Sequence, residues 1–225
     1  SSCGISGGSG SNFTAQYDTL QNIDMVAGMG QGGDGDGFTF QNYGSNSLVQ
    51  NNTLNNCGYI GIIISGSNST VQNNFIQNVC QVKNDGGAIY MNDGSSPGST
   101  GSNRKALNNV IVGSGNNSVD YGTDGTPSSD RIYLDDGSSY VTVSGNTIAN
   151  CRGGGIHINS GNYDTLLNNN VFNSYMQGVN IVEYSFNTPT GLVFKHNIIV
   201  ARDSALVAAF QRRSSNVTDW GVFDS

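Results

Sequence analysis

Three stretches decide the fold: Val49-Gln-Asn-Asn-Thr-Leu-Asn-Asn-Cys57, Val71-Gln-Asn-Asn-Phe-Ile-Gln-Asn-Val79 and Val143-Ser-Gly-Asn-Thr-Ile-Ala-Asn-Cys151. They share one template, which runs apolar, two residues, Asn, one residue, apolar, one residue, Asn. The template also fits Ala106–Gly113, Leu167–Ser174 and Phe194–Ala201, and more loosely Ala15–Asn22. Its first polar position is then Asp18, Asn52, Asn74, Asn109, Asn146, Asn170 and Asn197, with successive gaps of 34, 22, 35, 37, 24 and 27 residues. A base unit of roughly twenty residues with insertions is the period of a solenoid coil.

A second short apolar segment follows in each unit: Phe38-Thr-Phe40, Ile62-Ile-Ile64, Ile89-Tyr-Met91, Ile132-Tyr-Leu134, Ile156-His-Ile158, Val179-Asn-Ile181 and Ala208-Ala-Phe210. Strand alternation sends the outer two side chains of each inward and the middle one out. No unit can bury its own apolar residues, but stacked units can. The repeat therefore predicts an all-β parallel β-helix of about seven coils with two strands per unit. The recurrent Asn suits the corners, because it tolerates left-handed backbone and its amides can hydrogen-bond along the stack as a ladder.

Composition agrees with that reading. Of 225 residues 31 are Asn and 32 Gly, while only 11% are charged, against roughly 25% in ordinary globular chains. Such a chain lacks the helix formers that an all-α or doubly wound α/β fold needs. A net charge of −7 and pI ≈ 4.4 argue against nucleic acid, and the absence of a long apolar run argues against membrane insertion. The chain opens Ser1-Ser2-Cys3 rather than with Met, so we read residues 1–225 as a single domain excised from a longer protein with further domains. Cys57 and Cys80 fall on adjacent coils, offset by one residue, which leaves a disulfide open but favours buried thiols stacked in the core, and Cys151, three coils from Cys80, is expected to be unpaired.

From about Asn12 to Phe210 these repeats resemble those of the right-handed parallel β-helices of the pectate-lyase-like superfamily. The resemblance implies fold, and it implies a secreted or cell-surface protein that engages polysaccharide on one sheet face. Insertions at Met25–Gly37, Cys80–Gly87, Gly113–Asp130, Gly94–Asn103 and Ser185–Gly191 would wall the face that shows Thr39, Ile63, Tyr90, Tyr133, His157 and Asn180.

Aligned second strands place Asp93, Asp135 and Asp136 on neighbouring coils, with His157 on the next. Carboxyls held that close cannot all ionise freely, so one becomes an acid; glycoside hydrolysis uses such pairs. The arrangement is similar to that of pectinase-type β-helix hydrolases, through Asn92-Asp93-Gly94, Asp135-Asp136 and Gly155-Ile156-His157. One residue of that family's first motif is missing, and Asn180-Ile181-Val182-Glu183 stands where the family has a basic pair. The expected catalytic set is Asp93, Asp135, Asp136 and His157, with Tyr90, Tyr133, Asn159, Asn180, Glu183 and Arg152 binding substrate.

A polysaccharide lyase would use Tyr90, Tyr133 or His157 as base and Arg131 or Arg152 as cation. A stalk or adhesin segment would use none of them. Asp34 and Asp36, in Gly32-Gly-Asp-Gly-Asp-Gly37, offer hard oxygen ligands that suit calcium.

Overall fold

The computed structural model describes residues 3–7, 10–26, 37–40, 44–114, 129–202 and 205–224. Among these residues, short strands form three sheets of eight, eight and seven strands, and every paired strand is parallel to its neighbour. One 3-10 turn, Val217–Asp219, interrupts them. The first sheet stacks Ile5–Ser6, Phe38–Phe40, Ile62–Ile64, Gly86–Asn92, Ser129–Asp135, Ile156–Asn159, Gln177–Val182 and Leu206–Gln211. The expected register holds in it, with Phe38 against Ile62, Ile62 against Ile89, Ile89 against Ile132, Ile132 against Ile156, and Ile156 against Val179.

Each template proves to be two strands rather than one, so a coil has three. Leu48–Gln50 belongs to the second sheet and Thr53–Cys57 to the third, with a corner at Asn51-Asn52 between them. The corner divides its labour between two residues. Asn51, Asn73, Asn108 and Asn168 take the left-handed backbone, with φ of 56°, 55°, 54° and 54°. The residue after each points inward and forms the ladder Asn52–Asn74–Asn109–Asn146–Asn169–Asn197. The ladder residue on the sixth coil is therefore Asn169, not Asn170, which opens the outward face of its strand. Leu166, not Leu167, fills the matching core position, because the Leu-Leu-Asn-Asn-Asn run fits the template in two registers.

In the ladder, Asn74 donates from its backbone N–H and its Nδ2 to Oδ1 of Asn109, both at 3.0 Å, and from Nδ2 to the Val49 carbonyl at 3.0 Å. The same three bonds recur at Asn52, Asn109, Asn146 and Asn169, so polar atoms buried at each corner are paired. Inside, stacked aliphatic rows such as Leu54, Ile76, Ile111, Ile148 and Val171 are buried, each side chain stabilising the stack by ~1.5–3 kcal/mol relative to exposure. Cys57, Cys80 and Cys151 lie in the same core.

Candidate functional site on the first sheet

The outward row of the first sheet carries Tyr90, Tyr133, His157 and Asn180 on adjacent strands. Tyr133 and His157 stack with ring centres 4.6 Å apart and planes at 4°, and Tyr90 meets Tyr133 edge-on at 5.4 Å. Ile63, one coil below Tyr90, is also on this row, and Ile63, Tyr133 and Asn180 are buried. Two residues further along the strands the row reads Asn92, Asp135, Asn159 and Val182.

Asp135 is the hub of this second row. Its Oδ2 accepts from the Tyr90 hydroxyl at 2.7 Å, and its Oδ1 accepts from Asn159 Nδ2 at 2.7 Å and the Asp136 N–H at 2.8 Å. Burial, then the Asp135 charge, pushes both tyrosine hydroxyls far above the usual phenol range. The Oδ1 of Asn159, a residue 6% exposed, is buried without a partner.

Asp136 turns the corner with φ of 45° and is half-buried. Burial, then the neighbouring Asp135 charge, raises its carboxyl above the usual range, against hydrogen bonds from Asn92 and Ser95 that work to lower it. Asn92 Nδ2 donates to its Oδ2 at 3.2 Å.

Two carboxylates join this face without having been expected there. The N–H groups of Arg131 and Ile132 share the Gly155 carbonyl, at 3.2 and 3.1 Å, which is a β-bulge. The extra residue reverses the alternation: Arg131 is fully buried and Asp130 swings out. Asp130 Oδ2 lies 2.8 Å from His157 Nδ1 and its Oδ1 accepts the Gly154 N–H at 2.9 Å. Desolvation opposes ionisation of Asp130, but His157, Arg131 and the Gly154 N–H outweigh it and hold the carboxyl below the usual range. The other nitrogen of the ring, His157 Nε2, is buried without a partner. Asp85, just before Gly86–Asn92, completes the set. Desolvation first, and then Asp135, Asp130 and Asp136, raise its carboxyl.

Asp93 lies off that face. Its buried carboxylate pairs with Arg104, with Oδ1 2.9 Å from NH1 and Oδ2 3.0 Å from NH2. It also accepts the N–H groups of Gly98 at 2.7 Å and Ser139 at 3.1 Å, and the Thr100 hydroxyl. These bonds fix the turn of residues 94–100, whose Ser95 donates to the Asp136 carbonyl at 2.9 Å. Asp93 thus holds the turn beside Asp136 and does not itself reach the outward rows of the sheet.

Glu183, two coils beyond Asp136, accepts the Thr188 hydroxyl at 2.8 Å and the N–H groups of Arg213, Ser214 and Ser215 at 2.6, 3.1 and 3.3 Å. Desolvation works to raise it, and these bonds prevail and hold it down at about 2. Asn180 accepts from Gln211 Nε2 at 2.9 Å. Arg152 is half-buried in the corner before Ile156–Asn159, off the aromatic row. Arg131 lies in the core, where no sugar carboxylate reaches it.

Asp34 and Asp36 lie outside the described residues, and among the described ones no three His, Cys, Asp or Glu side chains are grouped to hold a metal. No helix is long and apolar enough to cross a membrane among those residues.

The family described as right handed beta helix region matches residues 125–219, which include the Asp130, Asp135, Asp136 and His157 strands. The fold is a right-handed parallel β-helix. The likeness of the repeats to that superfamily holds at the level of fold. Among solved structures, the A-module of the mannuronan C-5 epimerase AlgE4 from Azotobacter vinelandii is similar at 11% identity and a TM-score of 0.22, over 84% of this chain and 76% of that one. That likeness is too slight to pass any chemistry to this β-helix. No curated protein matches it.

Proposed function

We propose that this β-helix is a secreted or cell-surface enzyme that hydrolyses a glycan lying along its first sheet. Asp136 is the proton donor, and His157, held by Asp130, is the base that activates water. The observation that carries the reading is that one face drives neighbouring carboxyls apart, Asp136 and Asp85 towards the protonated form and Asp130 towards the ionised one. Separated acid and base assignments are what acid–base hydrolysis needs.

Asp130 bonds His157 at Nδ1 and so fixes the orientation of the ring. Asp136 gives its proton to the glycosidic oxygen as the bond to the anomeric carbon breaks. Water attacks that carbon and loses a proton to the Asp130–His157 pair. A base that works through water predicts inversion at the anomeric centre. Asp135, bound by Tyr90, Asn159 and a backbone N–H, locks the row, and the Tyr133–His157 stack forms the floor. The concentration of acidic groups favours a neutral glycan over a polyuronate. Raised tyrosine hydroxyls are poor bases near neutral pH, which disfavours the lyase reading.

The test is mass analysis of products from a glycan panel with the wild type, Asp136→Asn and His157→Gln. Hydrated products that disappear in both variants support the reading. Unsaturated products would move the case to a lyase, and no products from any glycan would leave a stalk or adhesin.

A further inference from the structure

A second feature lies on the same corner of the β-helix, two coils from Asp136. Coils stack about 4.8 Å apart, so the separation along the axis is about 10 Å. There Glu183, Tyr184, Phe186, Asn187, Thr188 and Arg213 line an open cleft of ≈ 480 Å³. Tyr184 is half exposed, and its ring lies 6.0 Å from that of Phe186 with planes at 25°.

The cleft is built rather than incidental. The Tyr184 N–H donates to the hydroxyl of buried Ser160 at 2.7 Å, and Asn187 Nδ2 donates to the Ser160 carbonyl at 2.7 Å and to Asn162 Oδ1 at 3.0 Å. Glu183 binds both walls at once, Thr188 on one side and the backbone of residues 213–215 on the other. A wall fixed before binding loses little freedom when a ligand arrives.

Other exposed aromatics on this side do not offer a comparable surface. Tyr140 and Tyr163 stack on each other at 5.2 Å and 14°. Gly98 closes over Tyr140 and Gly191 over Tyr163, since a Cβ on either glycine would meet the ring at 3.1 and 2.3 Å. In that column the two rings cover each other and each has a glycine against it, whereas a pyranose packs on a free ring face through its C–H groups. At Tyr184 such a face adjoins charged and amide groups that can bond to hydroxyls. The Arg213 guanidinium, exposed, has no ion pair with a described carboxylate. Glu183 Oε1 carries one hydrogen bond and has room for another.

We infer that the Tyr184–Phe186 cleft is a remote subsite that holds a neutral pyranose of the same extended glycan, two coils from the bond positioned at Asp136. The inference rests on the glycan-hydrolase reading for its direction along the sheet. Tyr184 supplies the stacking face, and Arg213 and Glu183 bind hydroxyl groups by donating and accepting respectively. A ligand long enough to span both places binds more tightly than one that reaches only Asp136.

The test uses calorimetry on the Asp136→Asn protein with cellohexaose, xylohexaose, mannohexaose and chitohexaose, each against its disaccharide, which is too short to reach from Asp136 to the cleft. At least one hexaose should bind about tenfold more tightly than its disaccharide, as expected for one buried stacking contact. Tyr184→Ala should remove that difference, and Tyr184→Phe, which keeps the ring, should restore it. Hexaose binding that does not change in Tyr184→Ala, or no hexaose binding at all, would overturn the subsite. Product formation by the unaltered enzyme is scored separately. Cleavage with no Tyr184 effect removes the subsite alone, and Tyr184-dependent binding without cleavage removes the hydrolase reading alone.

Discussion

On adjacent coils the first sheet ends in Asn92-Asp93-Gly94 and in Asp135-Asp136-Gly137, and the two aspartates meet opposite surroundings. Asp93 is buried against Arg104, takes two backbone N–H groups and holds a turn in place. Asp136 is half-buried beside Asp135, with amide and hydroxyl donors but no cation bonded to it. The cause sits one strand further along each coil. Arg104 opens its strand facing inward, and its partner on the next coil is Val141. Two similar Asx-Asp-Gly turns therefore yield an ion pair on one coil and a raised carboxyl on the next. The shared Asp-Gly does not settle a carboxylate's role; the residue before it, Asn92 or Asp135, and its neighbour in the following strand do.

The largest effect that would break this contrast is at Asp136. Asp136→Asn removes the proton donor while suiting the left-handed backbone there, so turnover should fall by ~10²–10⁴. Its melting temperature at neutral pH should hold or rise, because a repulsion with Asp135 is also removed. Equal loss of turnover and of stability would mean that Asp136 is structural like Asp93.

Arg104→Met tests the other half. It strands the Asp93 charge in the core and should cost about 3–5 kcal/mol by denaturant unfolding. The additional variant Asp93→Asn in the Arg104→Met background should recover part of that loss, since the orphan charge is gone. An Arg104→Met protein as stable as the wild type would contradict the pairing.

A smaller effect is expected at His157. His157→Gln keeps a hydrogen bond to Asp130 but cannot accept the proton, so the fall in turnover should exceed any change in KM. The smallest is at Asp164, which is fully buried beside the Arg104–Asp93 pair. Desolvation raises its carboxyl well above the usual range, against the Val141 N–H and Arg104. The folded state therefore holds this proton more tightly than the unfolded state, and stability drains away as pH rises from the ordinary carboxyl range through the raised value. Asp164→Asn should flatten that slope and stabilise the protein at neutral pH by on the order of 1 kcal/mol.

The stacking register of the first sheet was legible because its apolar–any–apolar triplets admit a single alternation. The ladder was legible except where Leu166-Leu167-Asn168-Asn169-Asn170 repeats both its apolar and its amide letter, so two registers fit. The third strand per coil was missed because the corner between the second and third sheets is only two residues long. Tyr90, Tyr133, Asp135, Asp136 and His157 came together as the alignment implied, since all lie on regular strands or their ends. Asp130 did not, because a bulge reverses alternation and leaves no mark in the sequence beyond two adjacent charges, Asp130-Arg131, entering a core strand. Asp85 sits before its strand, where alternation says nothing.

The most direct measurement is a carbon-detected NMR titration of the Asp136 and Asp130 side-chain carboxyls in the unaltered protein. The account predicts that Asp136 titrates above the ordinary aspartate range and Asp130 below it. Both titrating together within that range, or in the reverse order, would contradict a face that sets an acid beside a base.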